Sequence, residues 1–138
     1  MGADPAFRYQ DRVRWADTDA SGRIHFTAVF RWFEYAEQEY LRSCGLTLNE
    51  FMDERINIPR VHVEANYRAA LEYDDAVEIH VSVERVGQSS ATLAFAVVRQ
   101  DGEQAGDGRV TWCAIDLDTE TPCPLPERLR EALEAAIS

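Results

Sequence analysis

The feature that most constrains this chain is a change of hydrophobic period. In residues 27–45, TAVFRWFEYAEQEYLRSCG, the side chains Val29, Trp32, Phe33, Ala36 and Tyr40 fall on one helical stripe. Thr27 is placed to cap the start and Gly45 to stop the end. Phe30, Leu41 and Cys44 widen the apolar surface, so this helix needs enclosure by other structure. From about residue 57 the period becomes two. Val61, Val63, Ala65 and Tyr67 share one face of RVHVEANYRA, and Val77, Ile79, Val81 and Val83 one face of AVEIHVSVERV. Leu93, Phe95 and Val97 do the same in SATLAFAVVRQ, as do Val110, Trp112 and Ala114 in GRVTWCAIDL.

Short connections separate these runs: Glu72-Tyr73-Asp74-Asp75, Gly87-Gln88-Ser89, and a hairpin turn at Asp101-Gly102-Glu103. Ahead of the long helix, residues 7–16 alternate roughly and read as a first strand, with 17–26 as turn or loop. A short helix is expected at roughly 47–54. Pro122, Pro124 and Pro126 end the last strand, and a short amphipathic helix covers about 127–136. The order is strand, long apolar helix, then four long antiparallel strands. It predicts an α+β layer in which a five-stranded antiparallel sheet wraps the central helix. The whole chain, 1–138, is expected to form a single domain. One helix cannot cover every edge of such a sheet, so pairing with a second copy is the economical solution.

Composition removes several functions. The formal net charge is −11, where a general nucleic-acid binder is usually basic. All 14 basic residues are arginine, which excludes a lysine Schiff base and a phosphate loop built on lysine. Arginine is left as the only permanently charged phosphate grip. Cys44, Cys113 and Cys123 are widely spaced, which argues against disulfides or zinc and predicts small buried or semi-buried side chains. No apolar run approaches the ~20 residues that span a bilayer, and MGADPAFRYQ has no apolar stretch of signal-peptide type. A soluble, cytoplasmic protein without membrane or nucleic-acid partners is expected.

The chemistry concentrates in WADTDASGRIHF, residues 15–26. Asp17-x-Asp19-x-Ser21-Gly22 matches the start of a calcium loop, but the twelfth position, which should be glutamate, is Ala28. A phosphoryl-accepting aspartate would need a buried strand before it and a lysine downstream. The half-polar RVRW and the absence of lysine fit neither. Taken alone, the two aspartates read as caps of turns and of the helix start. No metal-ligand constellation is present.

The wider pattern VRWADTDASGRIHFTAVFRWFEYAEQEYLRSCGL, followed by NYRAALEYDDAVEIHVSV, resembles the hotdog-fold acyl-CoA thioesterases of the 4-hydroxybenzoyl-CoA thioesterase-like group. The resemblance covers roughly residues 8–116. It implies that Asp19, the second aspartate, is the catalytic carboxylate, acting as nucleophile or as general base for water, with Asp17 mainly structural. It places the oxyanion donor at the backbone N–H of Phe26, at the N-terminus of the long helix. His25 stands where some relatives carry a tyrosine–histidine or asparagine pair, as a further catalytic candidate. It also implies substrate-lining roles for Trp15, Phe30 and Glu34, and contact with pantetheine or phosphate for Arg85, Ser89 and Ser90. Arg31 is the expected helix partner of Glu34, with Glu37 in a similar helix salt bridge. His62 and His80 are expected on the solvated sheet face.

The resemblance thus implies hydrolysis of an acyl-CoA, with acyl carrier protein as the other thiol carrier, and no separate cofactor. The expected assembly is a homodimer or homotetramer with the site at the subunit interface. A non-catalytic acyl-CoA or acyl-carrier-protein binding module on the same fold is the alternative.

Overall fold

The computed structural model describes residues 4–137. The first strand, β1, spans Phe7–Arg12, and the long helix α1 spans Ala28–Ser43. They are followed by α2 (Leu48–Asp53), β2 (Ile56–Asn57), β3 (Arg60–Tyr67), β4 (Ala76–Val86), β5 (Ser90–Arg99) and β6 (Gln104–Cys113). β7 (Ile115–Asp116), β8 (Thr121–Pro122) and α3 (Glu127–Ala136) complete the chain. The five long strands form one antiparallel sheet in the order β1-β4-β5-β6-β3. The inward rows Val77/Ile79/Val81, Leu93/Phe95/Val97 and Val110/Trp112 are buried together with Trp32, Phe33, Ala36 and Tyr40 of α1. This is the α+β hotdog arrangement, a helix held in the wrap of a sheet.

The helix ends where its sequence dictates. Gly45 takes a left-handed φ of 79°. This lets Leu46 N–H reach the Leu41 carbonyl at 2.9 Å and Gly45 N–H the Arg42 carbonyl at 2.9 Å, a Schellman closure of the free carbonyls. α1 also lies closer to the sheet than the pattern foretells. A Cβ at Gly108 would stand 2.6 Å from the Phe33 ring and 2.3 Å from the Glu64 carbonyl oxygen. The bare backbone of β6 is what lets Phe33 lie flat and stack on Phe95, centroids 4.6 Å apart.

Four expectations need correction. The first strand stops at Arg12, because Val13 N–H turns to the Asp75 carbonyl and residues 15–17 coil into a short 3₁₀ turn. β3 and β4 are not neighbours: the 72–75 connection crosses over, and β3 becomes the far edge, paired with β6. The apolar face of β3 is consequently left open, with Val61 61%, Val63 50% and Tyr67 48% exposed, and Val61 sits on a bulge. Cys44 is exposed rather than buried. The small sheet β2-β7-β8 has strands of two residues, too short to show a period. Among the described residues, no helix is long and apolar enough to cross a membrane.

Candidate active site

Residues 17–25 form a small hairpin in front of α1. Thr18 bridges Ile24, His25 N–H donates to the Asp17 carbonyl at 2.7 Å, and Asp19 N–H to the Arg23 carbonyl at 3.0 Å. The turn closes through Gly22 N–H to the Asp19 carbonyl at 3.0 Å, with Gly22 at φ 82°. A three-residue loop with glycine in the left-handed position is a favoured hairpin closure. The return strand is tied down where Ile24 N–H meets the Leu71 carbonyl at 3.1 Å.

The two aspartates of this hairpin have opposite surroundings. Asp17 is 4% exposed and accepts Arg14 N–H at 2.8 Å and the Arg31 guanidinium at 2.6 Å. Both its oxygens are committed to holding the loop against α1. Asp19 lies at the turn, fully exposed. One oxygen accepts the Ser21 hydroxyl at 2.5 Å and Ser21 N–H at 2.8 Å. The Ser21 hydroxyl, then its N–H, holds the carboxyl below its usual range, and the nearby His25 adds to this. The other oxygen has no partner among the described residues. An ionised carboxylate with a free oxygen can attack a carbonyl or take a proton from water.

At the base of the same hairpin stands the helix N-terminus. The His25 carbonyl accepts Ala28 N–H at 2.9 Å and so points into the first turn. Because the peptide is planar and trans, the Phe26 N–H points the other way, out of the helix. It meets no acceptor among the described residues. The next carbonyl, that of Phe26, accepts the Tyr67 hydroxyl of β3, which pins the segment to the sheet. A free N–H at the positive end of a helix suits a developing oxyanion. Thr27 leaves the helix uncapped by its hydroxyl and faces His25 instead. Thr27 N–H donates to His25 Nδ1 at 3.2 Å, with Thr27 Oγ1 2.7 Å away. Since Nδ1 accepts, the neutral ring carries its proton on Nε2.

The other site residues divide. Phe30 and Glu34 line a slot of about 190 Å³ between α1 and the β3 edge, shared with Phe33, Val63 and Val110. Trp15 does not: it is 76% exposed and packs edge-on against Tyr73, centroids 5.4 Å apart. It is the first residue of the 3₁₀ turn that follows β1. The Phe26 ring is exposed and stacks on His25 at 4.5 Å.

Arg31, expected beside Glu34, is drawn to Asp17, leaving Glu34 exposed. Glu37 is not a surface salt bridge; it is 1% exposed and takes the Trp112 indole N–H at 2.9 Å and the Arg60 guanidinium. Sequence reasoning missed Tyr67, Arg60 and Glu37 as groups of this region. Only contacts across the sheet edge bring them there, and no local spacing encodes that. His62 and His80 lie on the outer face beside Glu64 and Glu78.

At the opposite end of the sheet, Arg85 folds over the β4–β5 turn. It donates to Ser90 Oγ at 3.3 Å and Thr92 Oγ1 at 3.5 Å, and finds no carboxylate among the described residues. A Cβ at Gly87 would come within 3.0 Å of the guanidinium, so glycine makes room for it. The Gln88 carbonyl is held by Leu125 N–H and by Arg130 of α3, which turns the Ser89 N–H outward.

A long helix held in the wrap of an antiparallel sheet, with an apolar slot between the helix and the sheet edge, is the hotdog arrangement. Residues 13–133 match the family described as the thioesterase-like superfamily, and the chain belongs to it. It is 34% identical over 125 residues to a 1,4-dihydroxy-2-naphthoyl-CoA hydrolase of Prochlorococcus marinus (strain NATL1A), covering 85% of this chain and 83% of that one. A 1,4-dihydroxy-2-naphthoyl-CoA thioesterase from Synechocystis shares the fold at a TM-score of 0.88, with 19% identity over 92% of this chain and 94% of that one. A gentisyl-coenzyme A thioesterase superposes at a TM-score of 0.82, with 26% identity over 91% of this chain and 98% of that one. The chain is an acyl-CoA thioesterase.

Proposed function

We propose that this enzyme hydrolyses a hydroxyaryl-CoA, of the 1,4-dihydroxy-2-naphthoyl kind, with Asp19 as its catalytic carboxylate. One observation carries the reading. Of two aspartates on a single hairpin, Asp19 is the one that keeps a free oxygen and has its carboxyl held low, and the base of the same hairpin runs into the unengaged Phe26 N–H. A thioester is already activated, so one positioned carboxylate suffices without a triad. By the base route, Asp19 takes a proton from water as the water oxygen attacks the thioester carbon. By the nucleophile route, the carboxylate itself attacks and water then opens the resulting anhydride. In both, Phe26 N–H receives the oxyanion and the CoA thiolate leaves. His25 presents Nε2–H as a second donor to the acyl oxygen or a ring hydroxyl.

The aromatic walls of the slot support an aryl acyl group, and the relatives named above act on such esters. Arg85, with Ser89 and Ser90, receives a phosphate of the CoA or phosphopantetheine arm. Arg85→Ala should raise KM for a CoA ester about tenfold while leaving the N-acetylcysteamine ester unchanged, as expected for one lost charged contact. The open apolar edge of β3 takes a second copy of the chain by strand pairing, closing the slot from its exposed side. Light scattering should then give at least a dimer mass.

Thiol release across short, medium, long and aromatic acyl-CoAs tests the whole reading. Highest kcat/KM is expected for the hydroxyaryl esters. A preference for aliphatic chains would overturn the substrate.

A further inference from the structure

The slot between α1 and β3 ends on charge. Its walls are apolar and largely aromatic: Phe30 meets Phe33 edge-on at 6.0 Å, and Phe33 lies flat against Phe95. Val63 and Val110 face them from the sheet. The inner end is formed by the Glu37 carboxylate and the Arg60 guanidinium. Trp112 donates its indole N–H to Glu37 at 2.9 Å, and the Arg60 guanidinium carbon stands 5.1 Å from the Trp112 ring centre. Arg60 also donates to the Ile58 carbonyl at 2.7 Å. Packing alone does not call for such a pair, since an apolar pair of similar volume holds a helix to a sheet at least as well. Nor are the Arg60 donors used up. A guanidinium has five N–H groups; the Ile58 carbonyl and Glu37 engage two of them, and the rest find no acceptor among the described residues.

We propose that the Arg60–Glu37 pair sets acyl specificity, by hydrogen-bonding a ring hydroxyl remote from the thioester carbonyl and by blocking long aliphatic chains. This deepens the hydroxyaryl reading and rests on it. Size agrees. A cavity of roughly 150 Å³ takes a benzene ring, so about 190 Å³ holds an aromatic ring with its substituents and not a nucleotide. Side chains on α1 lean toward its N-terminus, which brings the Glu37 carboxylate toward the start of the helix, and a long saturated chain entering the slot meets a charged wall. Glu34 lines the same slot as a further acceptor; burial lowers the Arg60 pKa, and the nearby Glu34 charge opposes that shift. A ring hydroxyl therefore finds both a donor and an acceptor. A site that hydrogen-bonds a substrate group rejects the analogue lacking it far better than an apolar pocket rejects an added one.

The test compares kcat/KM for 4-hydroxybenzoyl-CoA, benzoyl-CoA and decanoyl-CoA in the wild type and in the double variant Glu37→Met/Arg60→Met. That variant removes both charges together and roughly keeps volume, while leaving the Trp112 indole N–H without its acceptor. The wild type should favour the hydroxylated ester over benzoyl-CoA by about tenfold or more, the worth of one charge-assisted hydrogen bond. In the double variant this ratio should fall about tenfold and decanoyl-CoA turnover should rise, with benzoyl-CoA turnover within about threefold of wild type. If the double variant does not fold, Arg60→Lys keeps the pair but loses the fork. It should still lower the hydroxyl preference several-fold. A wild type that discriminates and a folded variant with the same ratio would overturn the pair's role and leave the proposed function standing. A wild type blind to the hydroxyl would overturn both.

Discussion

Asp17 and Asp19 are two positions apart and identical in chemistry, yet their surroundings make one a fastener and leave the other open. Asp17 is enclosed, and an arginine and a backbone N–H take up its charge. Asp19 is open to solvent and keeps an oxygen free. The hairpin geometry makes the division. Residues 17 and 25 sit at its base, against α1, while 19 stands at the turn. The lesson is that the buried partner is what makes the exposed one useful. For the role proposed for Asp19, a carboxylate on an untethered loop would lose the fixed position on which a rate depends.

The largest effect should come from Asp19→Asn. It keeps the turn's shape and removes the charge, and kcat should fall by a factor of about 10²–10⁴, the usual worth of a positioned acid–base group. Its melting temperature should stay near that of the wild type, because the group is exposed. A variant retaining full activity would break the comparison outright. Asp17→Asn should show the reverse balance. It should lose about 2 kcal/mol in urea unfolding, less than the 3–5 kcal/mol of a fully buried broken pair because Arg31 is partly solvated. Its kcat should drop as well, through disorder of the hairpin.

The smallest effect sharpens the contrast. Ser21→Ala removes the chief group holding the Asp19 carboxyl below its usual range near ~3.9. Only the ionised form acts, so activity is present above the Asp19 pKa and is lost as pH falls through it. With the pKa restored upward, the acid limb of kcat/KM should move to higher pH, leaving the neutral-pH rate nearly unchanged. A limb that does not move would mean that another group titrates.

Much of this was legible before any coordinates. The helical stripe from Val29 to Tyr40, the Gly45 stop and the inward valines of β4 are local patterns, and a helix or strand period is a local property. The two-aspartate motif with Gly22 was legible too, as a turn that could carry a carboxylate. What stayed hidden depended on partners far away in sequence. Arg31 has Glu34 as its nearest helix neighbour, yet it pairs with Asp17 because the hairpin folds back on α1. Glu37 looked like surface charge until Trp112 and Arg60 arrived from two strands. The resemblance places Trp15 in the lining, and the 3₁₀ turn at 15–17 leaves it exposed against Tyr73 instead.

The sequence by itself determined that one enclosed helix would lie against an antiparallel sheet, and that the reactive candidate would precede that helix. Apolar periodicity and turn chemistry act between neighbours along the chain, so both can be read from it. The tertiary structure alone decided which strand would be left at the edge, and hence that Val63, Arg60 and Tyr67 would stand beside the start and middle of α1. It also decided which aspartate would be buried. Strand order and burial follow from how the layers close over one another, and that balance of contacts is not written in the spacing of any segment.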